Sequence, residues 1–178
     1  MNVSVYIATS LDGFIARENG NLDWLLSGGD GENREDYGYK TFMETVDFLV
    51  MGRNTYEKAL TFGDWPYGTK PVVVLSSRPL AIPAHIAKSV ESISCTPTHL
   101  VSRLAAHGAK HLYIDGGKTI QGFLNAGLIT RLIITRLPVL IGSGITLFGP
   151  LERDIKLRHI ETRQFSSGLV QSEYEVAA

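Results

Sequence analysis

The residues Met51-Gly52-Arg53-Asn54-Thr55 close an apolar run that begins at Phe48 and place a glycine, a guanidinium and a hydroxyl at one strand-to-helix turn. Such a turn suits an anion. The first amides of a helix have no internal partner, the helix dipole favours negative charge, and a cation adds to both. Phosphate is the anion this pattern points to. Pro71-Val72-Val73-Val74-Leu75 likewise ends in Ser76-Ser77-Arg78, and Leu112-Tyr113-Ile114 ends in Asp115-Gly116-Gly117-Lys118-Thr119 before a short helical run. In a parallel sheet the carboxyl ends of the strands share an edge, so these three loops would line one crevice that could hold a dinucleotide. Each loop taken alone also reads as a capped helix start, a solvated turn or a flexible Gly-Gly pair. It is the set of three that favours polyanion chemistry.

The elements that must carry these loops follow from apolar periodicity. Residues 3–8 read as a buried strand, followed by a turn and a short apolar return over Leu11–Ala16. Asp12 reads as a turn residue. Gly20 to Gly31 is rich in Gly, Asn, Asp and Ser around Trp24, which suits a loop over the site with one anchored aromatic patch. From about Glu35 to Val46, Tyr39, Phe42, Met43 and Val46 recur at helical spacing and predict an amphipathic helix leading into the Met-Gly-Arg strand. Thr96-Pro97 predicts a second helix start, with Thr as N-cap and Pro at the first position, and Leu100, Val101 and Leu104 facing inward. Alternating strands and helices of this kind predict an α/β fold with a largely parallel sheet. After Gly127, Leu132–Thr135 and Pro138–Ile141 read as strands, and Leu157–Val176 as a hairpin around Ser166-Ser167-Gly168, giving an antiparallel edge. No repeat or linker divides the chain, so one domain over 1–178 is expected.

Bulk properties narrow the function. With 178 residues, 44% of them hydrophobic, the chain can bury a sizeable core. Seventeen basic and eighteen acidic residues leave no basic excess of the kind that nucleic-acid or membrane binding requires. The one cysteine, Cys95, makes no internal disulfide and fits a reducing compartment. No basic leader precedes Val3, and no apolar run reaches the ~18 residues of a membrane helix, so a cytoplasmic protein is expected. The five histidines show no metal-ligand spacing.

The ordered set Ile7-Ala8-Thr9-Ser10-Leu11-Asp12-Gly13, Met51-Gly52-Arg53-Asn54-Thr55-Tyr56-Glu57, Leu75-Ser76-Ser77-Arg78 and Ile114-Asp115-Gly116-Gly117 resembles the dihydrofolate reductase-like superfamily over nearly the whole chain. The Ser-Leu-Asp-Gly start, the acid before Gly-Gly and Pro138-Val139-Leu140-Ile141-Gly142-Ser143-Gly144 are more similar to the reductase domain of bifunctional riboflavin-biosynthesis deaminase-reductases, the RibD C-terminal family. The resemblance implies a three-layer reductase fold with a mostly parallel central sheet and an antiparallel C-terminal edge hairpin. It also implies NADPH as cofactor. Gly52, Arg53 and Thr55 would hold the pyrophosphate and its neighbouring phosphate, and Ser76, Ser77 and Arg78 would surround the adenosine 2′-phosphate. Gly116 and Gly117 would form the tight turn beneath the cofactor, with Lys118, Thr119 and Ile120 facing phosphate. Ala8 would meet the nicotinamide through its backbone, and Ile15 by packing.

The departures fall where substrate is decided. Counting back from Met51 puts Asp36 near the carboxylate that dihydrofolate reductases carry on their first helix, whereas matching Phe42 to the helix aromatic puts Gly38 there. Asp115 stands where riboflavin-type reductases have an acid. No His-x-Glu with Pro-Cys-x-x-Cys is present, so a zinc deaminase half is missing. The expected function is hydride transfer from NADPH to a small heterocycle, an aminouracil carrying a phosphoribosylamino group before any other. Asp36 and Asp115 are the candidate proton-handling residues. Dihydrofolate reduction, or a nucleotide-binding paralogue with another substrate or none, are the alternatives. A homodimer is implied by the resemblance alone.

Overall fold

A computed structural model of the chain describes residues 1–26 and 35–177. Its elements run β1 (Asn2–Ser10), β2 (Phe14–Ala16), α1 (Asp23–Leu26), α2 (Tyr39–Thr45), β3 (Phe48–Gly52), α3 (Arg53–Leu60), β4 (Val72–Leu75), β5 (Val90–Ile93), α4 (Pro97–Ala106), β6 (His111–Asp115), α5 (Gly117–Asn125), β7 (Arg131–Leu137), β8 (Ile145–Thr146), β9 (Leu157–Gln164) and β10 (Val170–Val176). Eight strands form one sheet in the order β5-β4-β3-β6-β1-β7-β10-β9, and β2 pairs with β8 apart from it. The pairs from β5 across to β7 are parallel, while β7–β10 and β10–β9 are antiparallel. This is the mostly parallel sheet with an antiparallel terminal hairpin that the sequence predicts.

Strand alternation sorts the apolar residues into two cores. Val50, Val73, Leu112, Ile114 and Leu132 face one side, where Leu100 and Leu104 of α4 and Ile120, Phe123 and Leu124 of α5 cover them. Leu49, Met51, Val72, Val74, Tyr113 and Ile133 face the other, beneath Phe42 of α2 and Tyr56 of α3. Helices on both faces of a parallel sheet explain why Val72–Leu75 is apolar at every position rather than at alternate ones. The Thr96 hydroxyl accepts from the His99 amide at 3.3 Å and Pro97 opens α4, as expected of that cap.

Two segments depart from the sequence reading. The helix expected from Glu35 starts at Tyr39 instead. Asp36 takes the amides of Gly38 and Lys40, each at 3.0 Å, and this local turn replaces the first helical turn. Pro138–Ile141 is not a strand. Pro138 has no amide to give a ladder, and the Asp12 carboxylate collects the amides of Ile141 and Gly142, pinning the segment as a loop. Asp12 is thus the turn residue it was expected to be, and it also accepts from the Ser10 hydroxyl at 2.6 Å. Of the loop expected over 20–31, residues 27–34 lie outside the described residues.

Beneath α2, His111 is buried and held by the Ser4 hydroxyl at 2.8 Å and by Thr45, with the Phe42 ring edge-on at 5.5 Å. Burial lowers its pKa below the ordinary 6.5. The unfolded chain then takes up the proton first, so this site's stability is present above pH 6.5 and lost as pH falls. Urea denaturation of wild type and His111→Gln between pH 5 and 8 should show a wild-type stability loss below 6.5 that the variant largely lacks. Parallel curves would contradict it.

Candidate functional site

Adjacent strands β3 and β6 end side by side, and each feeds directly into a helix whose cap residue is a glycine without a capping side chain: Gly52 for α3 and Gly116 for α5. The two helix N-termini are packed so closely that side chains are excluded between them. A Cβ on Gly116 would stand 2.3 Å from the Thr55 hydroxyl oxygen, and one on Gly52 would stand 2.9 Å from the Thr119 hydroxyl oxygen. Gly116 also sits at φ 90°, in the left-handed region that favours glycine. Residues from two sequence motifs, Gly52 and Thr55 with Gly116 and Thr119, therefore form one patch of amides and hydroxyls at the positive ends of two helices. A Cβ on Gly117 would meet the Ile15 side chain at 3.0 Å and the Thr146 carbonyl at 3.2 Å, so β2 and β8 cover the turn from outside. Gln121 fastens β8 there through the Thr146 and Leu147 carbonyls.

The third loop joins through Arg53. Its guanidinium donates to the Ser76 hydroxyl at 2.9 and 3.1 Å and to the carbonyls of Arg78 and Pro79 at 2.7 and 2.6 Å, and it pairs with Glu57 at 3.1 Å. Arg53 is thus spent on shaping the Ser76–Pro79 turn rather than left free as the phosphate cation the sequence reading makes it. Ser76 is part of the same knot, accepting from Arg53 and donating to the Arg78 carbonyl. The side chains of Ser77, Arg78 and Lys118 are exposed and make no hydrogen bond or ion pair among the described residues. They are the free polar groups on this rim. Ile120, expected to face phosphate, has its side chain fully buried in the core, and its amide donates to the Gly116 carbonyl at 2.8 Å.

On the far side of β6 the sheet splits. β1 pairs with β6 only over Asn2–Ser4, then continues beside β7 alone to Ser10. The Tyr113 hydroxyl donates to the Tyr6 carbonyl at 2.8 Å across the split. By strand alternation the N–H and C=O of Ala8 point to the same side as the Tyr6 carbonyl, into the gap. Trp24 packs near Ala8 on Leu137 and Leu169, and its buried indole N–H has no partner among the described residues.

Two carboxylates were expected to handle protons, and their surroundings differ. Asp36 lies in the exposed turn before α2, and the amides of Gly38 and Lys40 hold its pKa below the usual carboxylate range. That environment favours a permanent anion and opposes the proton-donor role. Asp115 ends β6, partly exposed as a residue, yet enough protein surrounds its carboxyl that desolvation pushes its pKa up to about 6. The Gly116 amide, donating at 2.8 Å, offsets part of this. Tyr39 and Tyr67 stand within its field, and burial raises the pKa of both. Neither tyrosine was singled out from sequence: Tyr39 reads as one core position of a helix, and Tyr67 lies in a loop.

The family model of the RibD C-terminal domain matches residues 2–171. The chain belongs to the RibD C-terminal domain family. The uncharacterised Bacillus subtilis (strain 168) protein YwjB is 38% identical over 173 residues, covering 96% of this chain and 95% of that one. The riboflavin biosynthesis protein RibD of Corynebacterium ammoniagenes is 27% identical over 87% of this chain, which spans about half of it. Among solved structures, a Shewanella sp. PV-4 protein assigned provisionally to riboflavin biosynthesis superposes with a TM-score of 0.93 at 42% identity, covering both chains fully. The Thermotoga maritima deaminase/5-amino-6-(5-phosphoribosylamino)uracil reductase superposes at 0.71 with 16% identity, over 99% of this chain and 56% of that one, which shows the shared fold. The fold of this RibD C-terminal domain is that of the dihydrofolate reductase-like reductases.

Gly116→Ala should destabilise the protein by at least about 2 kcal/mol, from the left-handed backbone and the clash with Thr55. Thr55→Ala in that background removes the clashing hydroxyl, leaving the Cβ of residue 55 at 3.4 Å and the Thr119 hydroxyl at 3.9 Å. Urea denaturation should show partial recovery in the double variant; an additive loss would contradict the close packing.

Proposed function

We propose that this chain is an NADPH-dependent reductase that delivers hydride to an electrophilic carbon of a small heterocycle, with 5-amino-6-(5-phosphoribosylamino)uracil-type compounds as its first candidate substrates. The observation that carries this reading is the pair of side-chain-free helix N-termini meeting at Gly52 and Gly116, a cradle that a Cβ at either position would fill. A pyrophosphate fits such a cradle because its charge meets unpaired amides from two helices at once. Thr55 and Thr119 would add hydroxyl donors, and Arg78 and Lys118 are the uncommitted cations available for further phosphate charge. Arg53 would act by holding the Ser76–Arg78 turn in shape. The backbone of Ala8, facing the gap between β1 and β6, would orient the nicotinamide, and Ile15 over Gly117 would shield it from water. The bound cofactor supplies the hydride.

The protein's remaining task is to hold the acceptor and balance the proton. Asp115, with a pKa of about 6, carries a proton in a useful fraction of molecules near neutral pH and can give it up. Asp36, held ionised, is left to cap its turn. Relatives that carry the deaminase half make the reductase half one step of a longer sequence, and this chain corresponds to that half. A homodimer belongs to the same reading, and β9, exposed along its whole length, is a surface available for it.

NADPH oxidation with the aminouracil ribosyl phosphate and with dihydrofolate, beside a direct NADPH titration, tests the proposal; absence of NADPH binding would refute it. Arg78→Ala should weaken NADPH about tenfold and leave NADH nearly unchanged, since the free guanidinium is assigned to the 2′-phosphate. Equal losses would remove that assignment. Asp115→Asn should lower turnover with NADPH affinity kept. It should also raise thermal stability at pH 8, because a carboxyl whose folded pKa exceeds its unfolded 3.8 costs stability as pH rises through about 6. A variant with unchanged turnover would exclude Asp115 from proton handling.

A further inference from the structure

Two sequence motifs that the cofactor cradle leaves unused, Ser10-Leu11-Asp12-Gly13 and Pro138–Gly144, meet in the fold although 130 residues separate Asp12 from Gly142. Asp12 accepts the Gly142 amide at 2.8 Å and the Ile141 amide at 3.2 Å. The fully buried Ser10 hydroxyl donates to the same carboxylate at 2.6 Å and accepts the Phe14 amide at 3.0 Å. One knot thus joins the end of β1, the start of β2 and the 139–144 loop. The Ser10 hydroxyl and the two amides hold the Asp12 carboxyl below the usual carboxylate range, which keeps these bonds charge-assisted. Backbone bonds flank the knot, from the Leu11 amide to the Val139 carbonyl at 2.8 Å and from the Leu147 amide to the Gly13 carbonyl at 3.1 Å.

What the knot carries is the β2–β8 ribbon, which stands apart from the eight-stranded sheet. The loop lies directly on this ribbon: a Cβ on Gly144 would stand 2.3 Å from the Ala16 carbonyl oxygen. The ribbon in turn places the Ile15 side chain and the Thr146 carbonyl over Gly117, at the start of α5. The partners that Asp12 finds in other residues, among those described, are Ser10, Ile141 and Gly142, so its influence on the helix starts passes through the ribbon. Two amides arriving at one side chain need an acceptor-only group, which a carboxylate is and a carboxamide is not.

We infer that Asp12 is a positioning residue of the cofactor site: its carboxylate latches the 139–144 loop onto β2, keeps Ile15 over Gly117 and so slows release of the bound dinucleotide. The inference rests on the reductase reading and assigns the control of cofactor release within it. A ribbon outside the main sheet opens at lower free energy than the core, and opening of such a cover sets how fast a ligand leaves. Asp47 supplies a matched control. At the amino ends of β3 and β6, away from the helix starts, it accepts the amides of Lys110 and His111 at 2.7 and 2.9 Å. Asp47→Asn therefore removes the same kind of bond at the other end of the sheet.

The test compares wild type, Asp12→Asn, Asp47→Asn, Ile15→Ala and the Asp12→Asn/Ile15→Ala double variant in stopped-flow NADPH release, thermal unfolding and hydrogen exchange. Asp12→Asn should speed both NADPH release and exchange of the β2 and β8 amides about five- to tenfold, with exchange in β3 and β6 unchanged. Asp47→Asn should lower the melting temperature at least as much and leave release unchanged. In the Ile15→Ala background Asp12→Asn should add little to the release rate, because it acts through that side chain. Release unaffected by Asp12→Asn, sped equally by Asp47→Asn, or sped additively in the double variant overturns the inference. A wild type that binds no NADPH strikes the reductase reading instead, and exchange in β2 and β8 then decides by itself whether Asp12 holds the ribbon.

Discussion

The close approach of two helix N-termini at the ends of β3 and β6 is the constraint on which the rest of the site depends. Neighbouring parallel strands lie about 4.8 Å apart, and each of these two turns straight into a helix, so whatever stands between the helix starts must be backbone. Gly52 and Gly116 meet that demand, and the hydroxyls of Thr119 and Thr55 occupy the space their side chains would have taken. The result is a concentration of helix-start amides that no cap side chain satisfies among the described residues. Exposed donors of this kind are normally capped by side chains. Leaving two sets uncapped next to each other makes sense for a chain that binds an anion there.

A second constraint separates the two ends of the site. Because β1 leaves β6 after Ser4, the sheet opens between these two strands, and by strand alternation Ala8 turns its backbone groups toward the gap. On one side of this line are helix dipoles, hydroxyls and the free cations Arg78 and Lys118. On the other are Tyr113 and the desolvated Asp115, in surroundings where charge is costly. Arg53 belongs to neither end directly; by spending its donors on Ser76, Arg78 and Pro79 it fixes the loop that presents Arg78 outward.

Much of this was legible in the residues. Val72–Leu75 and Leu112–Ile114 announce buried parallel strands through continuous apolarity, Thr96-Pro97 announces a capped helix, and Ser166-Ser167-Gly168 announces a hairpin, because each is a local consequence of backbone chemistry. The strand-end motifs could be grouped because parallel strands share an edge. The misreadings have a common origin. Pro138–Ile141 is apolar enough for a strand, but a carboxylate more than 120 residues earlier in the chain claims its amides. Glu35–Gly38 continues a helical pattern that Asp36 interrupts by bonding its own neighbours. In both cases side-chain to backbone bonds, which no apolar period encodes, decided the conformation.

The sequence by itself determined the class of fold, the family and the positions of the three anion-favouring turns, since periodicity, glycine placement and cap chemistry act over a few residues. Tertiary structure alone decided the surroundings of each candidate. It engaged Arg53 in loop bonds, buried Ile120 in the core, held Asp36 ionised in an exposed turn and raised the pKa of Asp115 by desolvation. The physical reason is that availability, protonation and proximity depend on what surrounds a side chain in space. Neighbours in space here are separated by tens of residues in sequence, and only the packed sheet and its helices bring them together.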